Sequence, residues 1–238
     1  MLQPFRNPGQ IVTPVYGVPG AGKTHFLIGI IEKLLDQGTA PERIVYCSFT
    51  KAAAYSGLDR IAKKTDIDPK AFTLARTVHS LSLKAAGRTI SRKEIMNSSD
   101  YKTVASSVGA EVTKTADFNA DFPLRDAQLA GRDGDFCLWV YTLLRAKMLD
   151  PTDIHAVPSI VEDMTRFRGF PGLYFNFLEA LEEYKAETAK LDFSDMLELG
   201  RQGNPFDVDA AVIDEAQDLS ALQWAALDTM LGNCPKIW

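Results

Sequence analysis

The sequence predicts an α/β fold in which a parallel sheet, covered by helices on both faces, carries an inserted and mostly helical subdomain. Short apolar runs of the kind found in strands that are buried on both faces lie near both ends of the chain. Apolar residues at helical spacing follow these runs, as expected for strands that alternate with helices. From about residue 85 to residue 190 the pattern is mostly helical instead.

The N-terminal segment contains the first predicted strand and helix. Ile11–Tyr16 predicts a short strand, although Pro14 cannot donate a hydrogen bond to a neighbouring strand. A glycine-rich segment follows, and apolar residues then recur at helical spacing over Phe26–Leu35. Gly38 suits the left-handed residue that commonly ends a helix. These features predict a strand, a loop and a helix in that order.

The next segment predicts two further strands. Ile44–Phe49 is rich in β-branched and aromatic residues, which favours a strand, and a helix is expected over residues 50–64. Phe72–Val78 is a third apolar and β-branched piece that leads directly into His79 and Ser80.

The rest of the chain adds helices and one more buried strand. Two segments of the middle region, Phe136–Leu149 and Leu173–Ala189, have clear helical spacing. Asp192–Leu199 predicts another helix, and Ala210–Ile213 predicts a buried strand. Ser220 is a suitable N-cap for a final helix.

Composition restricts the class of protein. Of 238 residues, 46 % are hydrophobic and 24 % charged, which is typical of a globular chain and excludes a disordered one. No apolar stretch approaches the roughly 18 residues that a membrane span needs, and the N-terminus has no signal-peptide organisation. The 3 cysteines lack CxxC spacing, which argues against a disulfide framework or a zinc site. We therefore expect a soluble, cytoplasmic protein with no membrane partner.

Charge is distributed unevenly along the chain. Residues 43–93, here called the basic segment, contain 11 Lys and Arg against 3 Asp and Glu, whereas residues 162–218 contain 5 against 14. Such asymmetry is typical of a basic binding surface beside an acidic one, and equally of two solvated faces without a partner. Charge alone leaves both interpretations open.

The strongest motif is the segment from residue 17 to residue 24, which fits the phosphate-loop pattern G-x-x-x-x-G-K-[ST] between a predicted strand and a predicted helix. Its glycines let backbone N–H groups converge on phosphate oxygens, and the helix N-terminus adds its positive dipole end. Lys23 would reach the β- and γ-phosphates of ATP, and the Thr24 hydroxyl would hold Mg²⁺. The predicted nucleotide contacts are Gly17, Pro19, Gly20, Ala21, Gly22, Lys23, Thr24 and His25.

An acidic pair follows the last predicted strand. Asp214 and Glu215 come directly after Ala210–Ile213, which places two carboxylates at the carboxyl end of a strand, where α/β sheets bind ligands. Asp214 would hold Mg²⁺ through water, and Glu215 would act as the general base that polarises the attacking water.

The distance between these two motifs along the chain predicts the domain organisation. Lys23 and Asp214 are 191 positions apart, more than a compact nucleotide-binding domain needs between these elements. Residues 1–85 and 191–238 would form the sheet domain, and residues 86–190 would form an inserted helical subdomain.

Residues 212–220 resemble motif II of the UvrD/Rep-like superfamily 1 helicases, in which the acidic pair is followed by x-Gln-Asp. Other motifs of that family have counterparts in the family's order. Residues 47–53 are similar to motif Ia, residues 77–81 to motif Ib, and residues 192–197 to the D-F-x-D-L-L element that precedes motif II. The resemblance implies a first RecA-like ATP-binding domain with an inserted 1B-like helical subdomain. It also implies ATP hydrolysis coupled to movement along single-stranded DNA and to unwinding, with 3′-to-5′ polarity.

The resemblance also implies roles for individual residues. Gln217 would sense the γ-phosphate or the attacking water. Phe49 would stack on a DNA base, and the Thr50 hydroxyl would contact the DNA backbone. Thr77 and His79 would face DNA as well. All four DNA candidates lie in the basic segment, which agrees with the way that proteins hold single strands.

Two motifs depart from the family pattern. Motif Ia lacks the usual Asn after Thr50. The family places an adenine-reading Gln well upstream of the phosphate loop, whereas Gln10, in a similar Asn-Pro-Gly-Gln context, lies only seven residues before Gly17. Gln10 is nevertheless the candidate adenine contact.

The end of the chain is a further departure. Lys236–Trp238 resembles the start of the strand that leads to motif III, and the sequence contains neither motif III nor the second RecA-like domain with its arginines. An arginine finger can contribute about 10³ to 10⁵ in rate. We therefore expect the N-terminal half of a longer helicase, weakly active or inactive alone, whose partners are single-stranded DNA and the second RecA-like domain.

Two alternatives stay open at this point. The chain could be a naturally truncated module that binds nucleotide or DNA and regulates a partner without translocating. It could also be a small P-loop kinase with the helical insertion as its lid, although such a kinase would not explain the ordered motifs.

Overall fold

The computed structural model describes residues 7–48, 51–113, 132–158, 160 and 169–238. The chain divides into two compact units, of which the first contains Met1–Thr89 and Leu197–Trp238 and the second contains Ile90–Met196. The corresponding boundaries predicted from the sequence lie at 85/86 and 190/191. No helix in the described ranges is long and apolar enough to cross a membrane.

The first unit is built on a parallel sheet. Its described strands are β1 (Ile11–Val12), β2 (Ile44–Ser48), β3 (Ala75–Thr77), β4 (Ala210–Asp214) and β5 (Lys236–Ile237). They lie side by side in the order β1-β5-β4-β2-β3, and every neighbouring pair is parallel. The predicted parallel α/β sheet is confirmed.

Helices connect these strands and form most of the second unit. Those described are α1 (Lys23–Asp36), α2 (Lys51–Thr65), α3 (Val78–Ala85), α4 (Ser98–Ser107), α5 (Asp133–Ala146), α6 (Gly172–Thr188), α7 (Phe193–Arg201) and α8 (Ala221–Met230). Gly38 follows α1 with φ 88°, as its sequence position predicted. The Ser220 hydroxyl caps α8 by accepting a hydrogen bond from the Gln223 N–H.

The central strands β2 and β4 are buried at every position because both of their faces are covered. Tyr46 and Val212 belong to a buried cluster that includes α1 and α2 side chains. Cys47 and Ile213, one residue further along each strand, belong to a second cluster that includes α3 and α8 side chains. This arrangement confirms helices on both faces of the sheet, and it explains the uninterrupted apolar runs.

Two strands are shorter than their apolar patterns predicted. β1 ends at Val12, and the segment beyond it contains Pro14, which has no N–H to donate to β5. β3 begins only at Ala75 because Phe72 and Ala75 donate their backbone N–H groups to a turn. β5 pairs with β1 on one side and with β4 on the other, so it is an inner strand.

The second unit has an aromatic core of its own. Trp139, Tyr174 and Phe177 are buried among apolar side chains of α4, α5 and α6. Phe175 is 40 % exposed and contacts the ring of Tyr174. The rings of Trp139, Tyr174 and Phe177 therefore form part of the core of the helical unit.

A buried carboxylate ties α4 to the segment that follows α6. Asp100 is 4 % exposed, and its Oδ1 accepts hydrogen bonds from Tyr184 Oη and Lys190 Nζ, both at 2.6 Å. Its Oδ2 accepts a bond from the Asn97 N–H at the start of the helix. Burial opposes ionisation, but these bonds outweigh it and hold the pKa of Asp100 below its ordinary value.

Replacing Asp100 by Asn is expected to lower the free energy of unfolding at neutral pH by about 2 kcal/mol, since charge-assisted bonds are lost. A folded-state pKa below the unfolded value means that the carboxylate stabilises the fold above the unfolded value, near 4, and that this contribution is lost as the pH falls through the folded value. The difference between variant and parent, measured by urea unfolding, should therefore shrink below about pH 4. Asp153→Asn, at an exposed aspartate of the same unit, is the matched control. A deficit of the same size at every pH would contradict the assignment.

Candidate functional site

Most of the predicted site residues lie at, or shortly after, the carboxyl ends of strands that reach one edge of the sheet, whereas Gln10 precedes β1. Ser48 at the end of β2 is in register with Asp214 at the end of β4, and on its other side with Thr77 at the end of β3. The glycine-rich loop follows β1, which runs parallel to these strands through β5. The loop, the acidic pair and Thr77 therefore all lie at the carboxyl edge, where open α/β sheets bind ligands.

The loop between β1 and α1 has the backbone that its glycines permit. Gly20 and Gly22 have φ of 80° and 84°, a region that L side chains rarely adopt. Gly22 is the N-cap of α1, and the first N–H groups of any helix lack a partner within it. A Cβ at Gly17 would lie 3.1 Å from the Ala21 Cβ, so the loop is also tightly folded there. This geometry can present backbone N–H groups to phosphate oxygens.

The side chains at the start of α1 are accessible. Lys23 Nζ donates hydrogen bonds to the carbonyl oxygens of Gly17 at 3.0 Å and Val18 at 3.4 Å, so the ammonium lies over the loop. Thr24 is half-buried, whereas His25 is exposed, as are the predicted loop contacts Pro19, Gly20 and Ala21. An anion that approaches this loop meets the Lys23 ammonium and the N-terminus of a 14-residue helix.

Asp214 is fixed at the end of β4. It is 3 % exposed, its Oδ1 accepts a hydrogen bond from the Glu215 N–H at 3.0 Å, and its Oδ2 accepts one from Tyr46 Oη at 3.2 Å. Burial, followed by the charge of Asp214 and its hydrogen bond, raises the pKa of Tyr46, so the phenol is protonated at neutral pH and donates. Tyr46 is not among the site residues predicted from the sequence, although a tyrosine inside an apolar strand needs a partner for its hydroxyl.

Glu215 and Gln217 lie in the tight turn after β4. Glu215 has φ 53°, an uncommon value for a residue with a side chain and one that recurs at functional sites. Gln217 Nε2 donates to Glu215 Oε2 at 2.6 Å and to Asp218 Oδ2 at 3.3 Å. The structure therefore brings Glu215 and Gln217 into direct contact, with Gln217 exposed to solvent.

Gln10 is engaged with the backbone. Its Nε2 donates to the carbonyl oxygens of Leu231, Gly232 and Cys234 at 2.7, 3.3 and 3.0 Å, while its Oε1 is buried and has no partner among the described residues. The amide thus fastens the start of β1 to the turn between α8 and β5. Its predicted contact with adenine stays a prediction.

Of the predicted DNA contacts, two are described and two are not. Thr77 is the N-cap of α3, with its Oγ1 accepting a hydrogen bond from the Ser80 N–H at 3.4 Å. His79 is 6 % exposed on the same helix. Phe49 and Thr50 lie outside the described residues.

The two aspartates of the D-F-x-D element form hydrogen bonds and ion pairs within the helical unit. Asp192 accepts hydrogen bonds from Tyr141 Oη at 2.6 Å and Lys185 Nζ at 3.1 Å. Asp195 pairs with Lys185 at 2.8 Å and Arg145 at 3.2 Å. These ion pairs hold the end of α6 and α5 against the start of α7 within the second unit.

The donor atoms at the sheet edge fit a nucleotide with Mg²⁺. Mg²⁺ prefers oxygen ligands and is usually bound by one or two carboxylates together with substrate phosphates. Asp214 offers a carboxylate, Thr24 a hydroxyl, and Ser48 Oγ is buried beside Asp214 with no partner among the described residues. No group of three or more His, Cys, Asp or Glu side chains suited to a metal occurs in the described part of the chain.

The all-parallel sheet, with helices on both faces and a glycine-rich loop at its carboxyl edge, is a RecA-like α/β fold. A comparison with protein-family models matches residues 6–237 to the UvrD/REP helicase N-terminal domain. The chain belongs to this family, and it contains a helicase motor domain of the UvrD type. A search among curated proteins finds no significant match.

Proposed function

We propose that the chain is the ATP-binding half of a motor that moves along single-stranded DNA and couples ATP hydrolysis to unwinding. The observation that carries the proposal is the common position of the phosphate loop and the Asp214–Glu215 pair at one edge of a parallel sheet. In such enzymes the rate comes almost entirely from positioning and electrostatic stabilisation.

Each side chain at this edge has a distinct role in the proposal. Lys23 releases the loop carbonyls and pairs with the β- and γ-phosphates. Thr24 and Asp214 hold Mg²⁺, which when bound neutralises charge that develops on the phosphates. Glu215 accepts the proton of the attacking water, and Gln217, already hydrogen-bonded to that carboxylate, orients the water and senses the γ-phosphate.

The proposal that the chain binds single-stranded DNA is supported by the basic segment. Its strand β3 and helix α3 carry Thr77 at the carboxyl edge, with Arg76 exposed beside it. Arg76 donates to Thr73 O and lies 3.5 Å from Ser80 Oγ, so the guanidinium is held at the surface where a phosphate can reach it. In the proposal, Phe49, Thr50, Thr77 and His79 contact the strand, and movement is 3′ to 5′.

The proposal that a second RecA-like domain packs against this chain is supported by exposed apolar side chains around the phosphate loop. Tyr16, Val18 and Phe26 are 88 %, 72 % and 57 % exposed. Such a group of exposed apolar side chains beside a charged site is typical of a surface that another domain covers. That domain would supply the arginines that complete the hydrolytic site.

The test is ATP hydrolysis by this chain at low salt, with and without single-stranded DNA, alongside binding of a fluorescent oligonucleotide. The motor proposal predicts DNA binding that weakens steeply with salt and turnover that DNA stimulates, either in this chain or once a second RecA-like domain is added. Nucleotide and DNA binding without turnover under both conditions would favour a regulatory module. Family membership leaves a small P-loop kinase without support, and phosphate transfer to a nucleoside would be needed to restore it.

A further inference from the structure

Tyr46 is an unusual residue in the interior of β2. Its neighbours along the strand are apolar or small, and its ring lies 1 % exposed in the cluster formed with α1 and α2. Its hydroxyl donates to Asp214 Oδ2 at 3.2 Å across 168 positions of sequence. A buried phenol is thus directed at the carboxylate of Asp214, the last residue of β4.

Helix α2 is adapted to this ring. Gly57 lies in the middle of α2, where glycine is less favourable than alanine by about 1 kcal/mol. A Cβ added at Gly57 would overlap the hydroxyl and the ring carbons of Tyr46. The glycine therefore provides the space that lets the tyrosine reach Asp214, at some expense in helix stability.

The bonds to Asp214 restrain its orientation. The Tyr46 hydroxyl donates a hydrogen bond to one acceptor position of Asp214 Oδ2, and the Glu215 N–H donates to one acceptor position of Oδ1. A carboxylate has about four acceptor positions, so others remain for a cation or its water. With one donor on each oxygen, the plane of the carboxylate is fixed before any ligand binds.

We propose that Tyr46 is a positioning residue that holds the Asp214 carboxylate in the orientation in which it binds the divalent cation of a bound nucleotide. The proposal rests on the proposed function, because it assumes that Asp214 binds that cation. Tyr46 touches neither nucleotide nor water in this role and acts through Asp214 alone. Gly57 takes part by leaving room for the ring.

The test measures cation affinity separately from nucleotide affinity. Mn²⁺, which accepts the same oxygen ligands as Mg²⁺, is titrated by electron paramagnetic resonance into the chain saturated with a non-hydrolysable ATP analogue. Tyr46→Phe removes the hydroxyl and retains the ring. We expect it to weaken Mn²⁺ binding about tenfold, with affinity for the metal-free nucleotide unchanged.

Tyr174→Phe is the matched control. Tyr174 is equally buried, and its hydroxyl donates to the Pro151 carbonyl oxygen at 2.6 Å inside the helical unit. Loss of this bond should leave Mn²⁺ affinity at the parent value. A merely structural effect of deleting a buried phenol would instead appear in both variants.

Gly57→Ala is a second, independent variant that retains the hydroxyl but displaces the ring, and it is expected to weaken Mn²⁺ binding in the same direction. Circular dichroism establishes which variants are folded, and either folded variant suffices for the test. Parent-like Mn²⁺ affinity in a folded Tyr46→Phe or Gly57→Ala chain would overturn the proposal. Failure of the parent chain to bind Mn²⁺ with nucleotide would be a different result, since it would overturn the proposed function itself.

Discussion

Replacing Lys23 by Ala is expected to weaken ATP binding about 100-fold, because the phosphate charges lose their main cationic partner. The Lys23 ammonium lies over the loop, within 3.0 Å of the Gly17 carbonyl oxygen, and can turn to an arriving phosphate without a change in the fold. The measurement is equilibrium titration with a fluorescent ATP analogue in the presence of Mg²⁺.

Lys33→Ala is the control for this variant. Lys33 lies in the last turn of the same helix, away from the loop. Its replacement by Ala removes the same charge as Lys23→Ala. Its affinity should equal that of the parent chain. Equal affinities of the Lys23→Ala chain and the parent would refute the assignment of residues 17–24 as a phosphate loop.

The second large effect is expected from Glu215→Gln. The amide cannot accept the proton of the attacking water, so hydrolysis should fall by about 10² to 10⁴ while ATP affinity is retained. Gln at this position still accepts a hydrogen bond from Gln217, which preserves the turn after β4. The measurement is phosphate release from pre-bound ATP with single-stranded DNA, in the form of the protein that shows turnover, with or without an added second RecA-like domain.

Glu42→Gln is the matched control for the general base. Glu42 is exposed and precedes β2, so it lies at the opposite edge of the sheet from Glu215. The Glu42→Gln variant should hydrolyse ATP at the parent rate. Turnover at the parent rate in Glu215→Gln would mean that another group accepts the proton.

The strands and their sheet were predictable because burial on both faces imposes a simple pattern. The runs that became β2 and β4 are apolar at every position up to Cys47 and Ile213, which only a strand covered on two sides requires. The ends of β1 and β3 were less predictable, since Pro14 and the backbone turn around Phe72 act against the apolar pattern. Local hydrogen bonding, which hydropathy does not report, determined where β1 ends and where β3 begins.

The candidate site was predictable where its residues are adjacent in sequence. Residues 17–24 fold as a loop and helix start, and Asp214 is the last residue of its strand, so spacing alone indicated both. The contact between Tyr46 and Asp214 depends instead on the register of β2 against β4, which joins residues 168 positions apart. The bonds of Gln10 to the turn before β5 depend on the pairing of β1 with β5 in the same way.

The most direct test of the central claim is calorimetric titration of the chain with a slowly hydrolysed ATP analogue, with Mg²⁺ and then with EDTA. If the loop and the acidic pair form one nucleotide site, binding will have a stoichiometry of about one, will strengthen with Mg²⁺, and will weaken about 100-fold in Lys23→Ala. Binding that is absent in the folded parent chain, or that is indifferent to both Mg²⁺ and Lys23, would contradict the account.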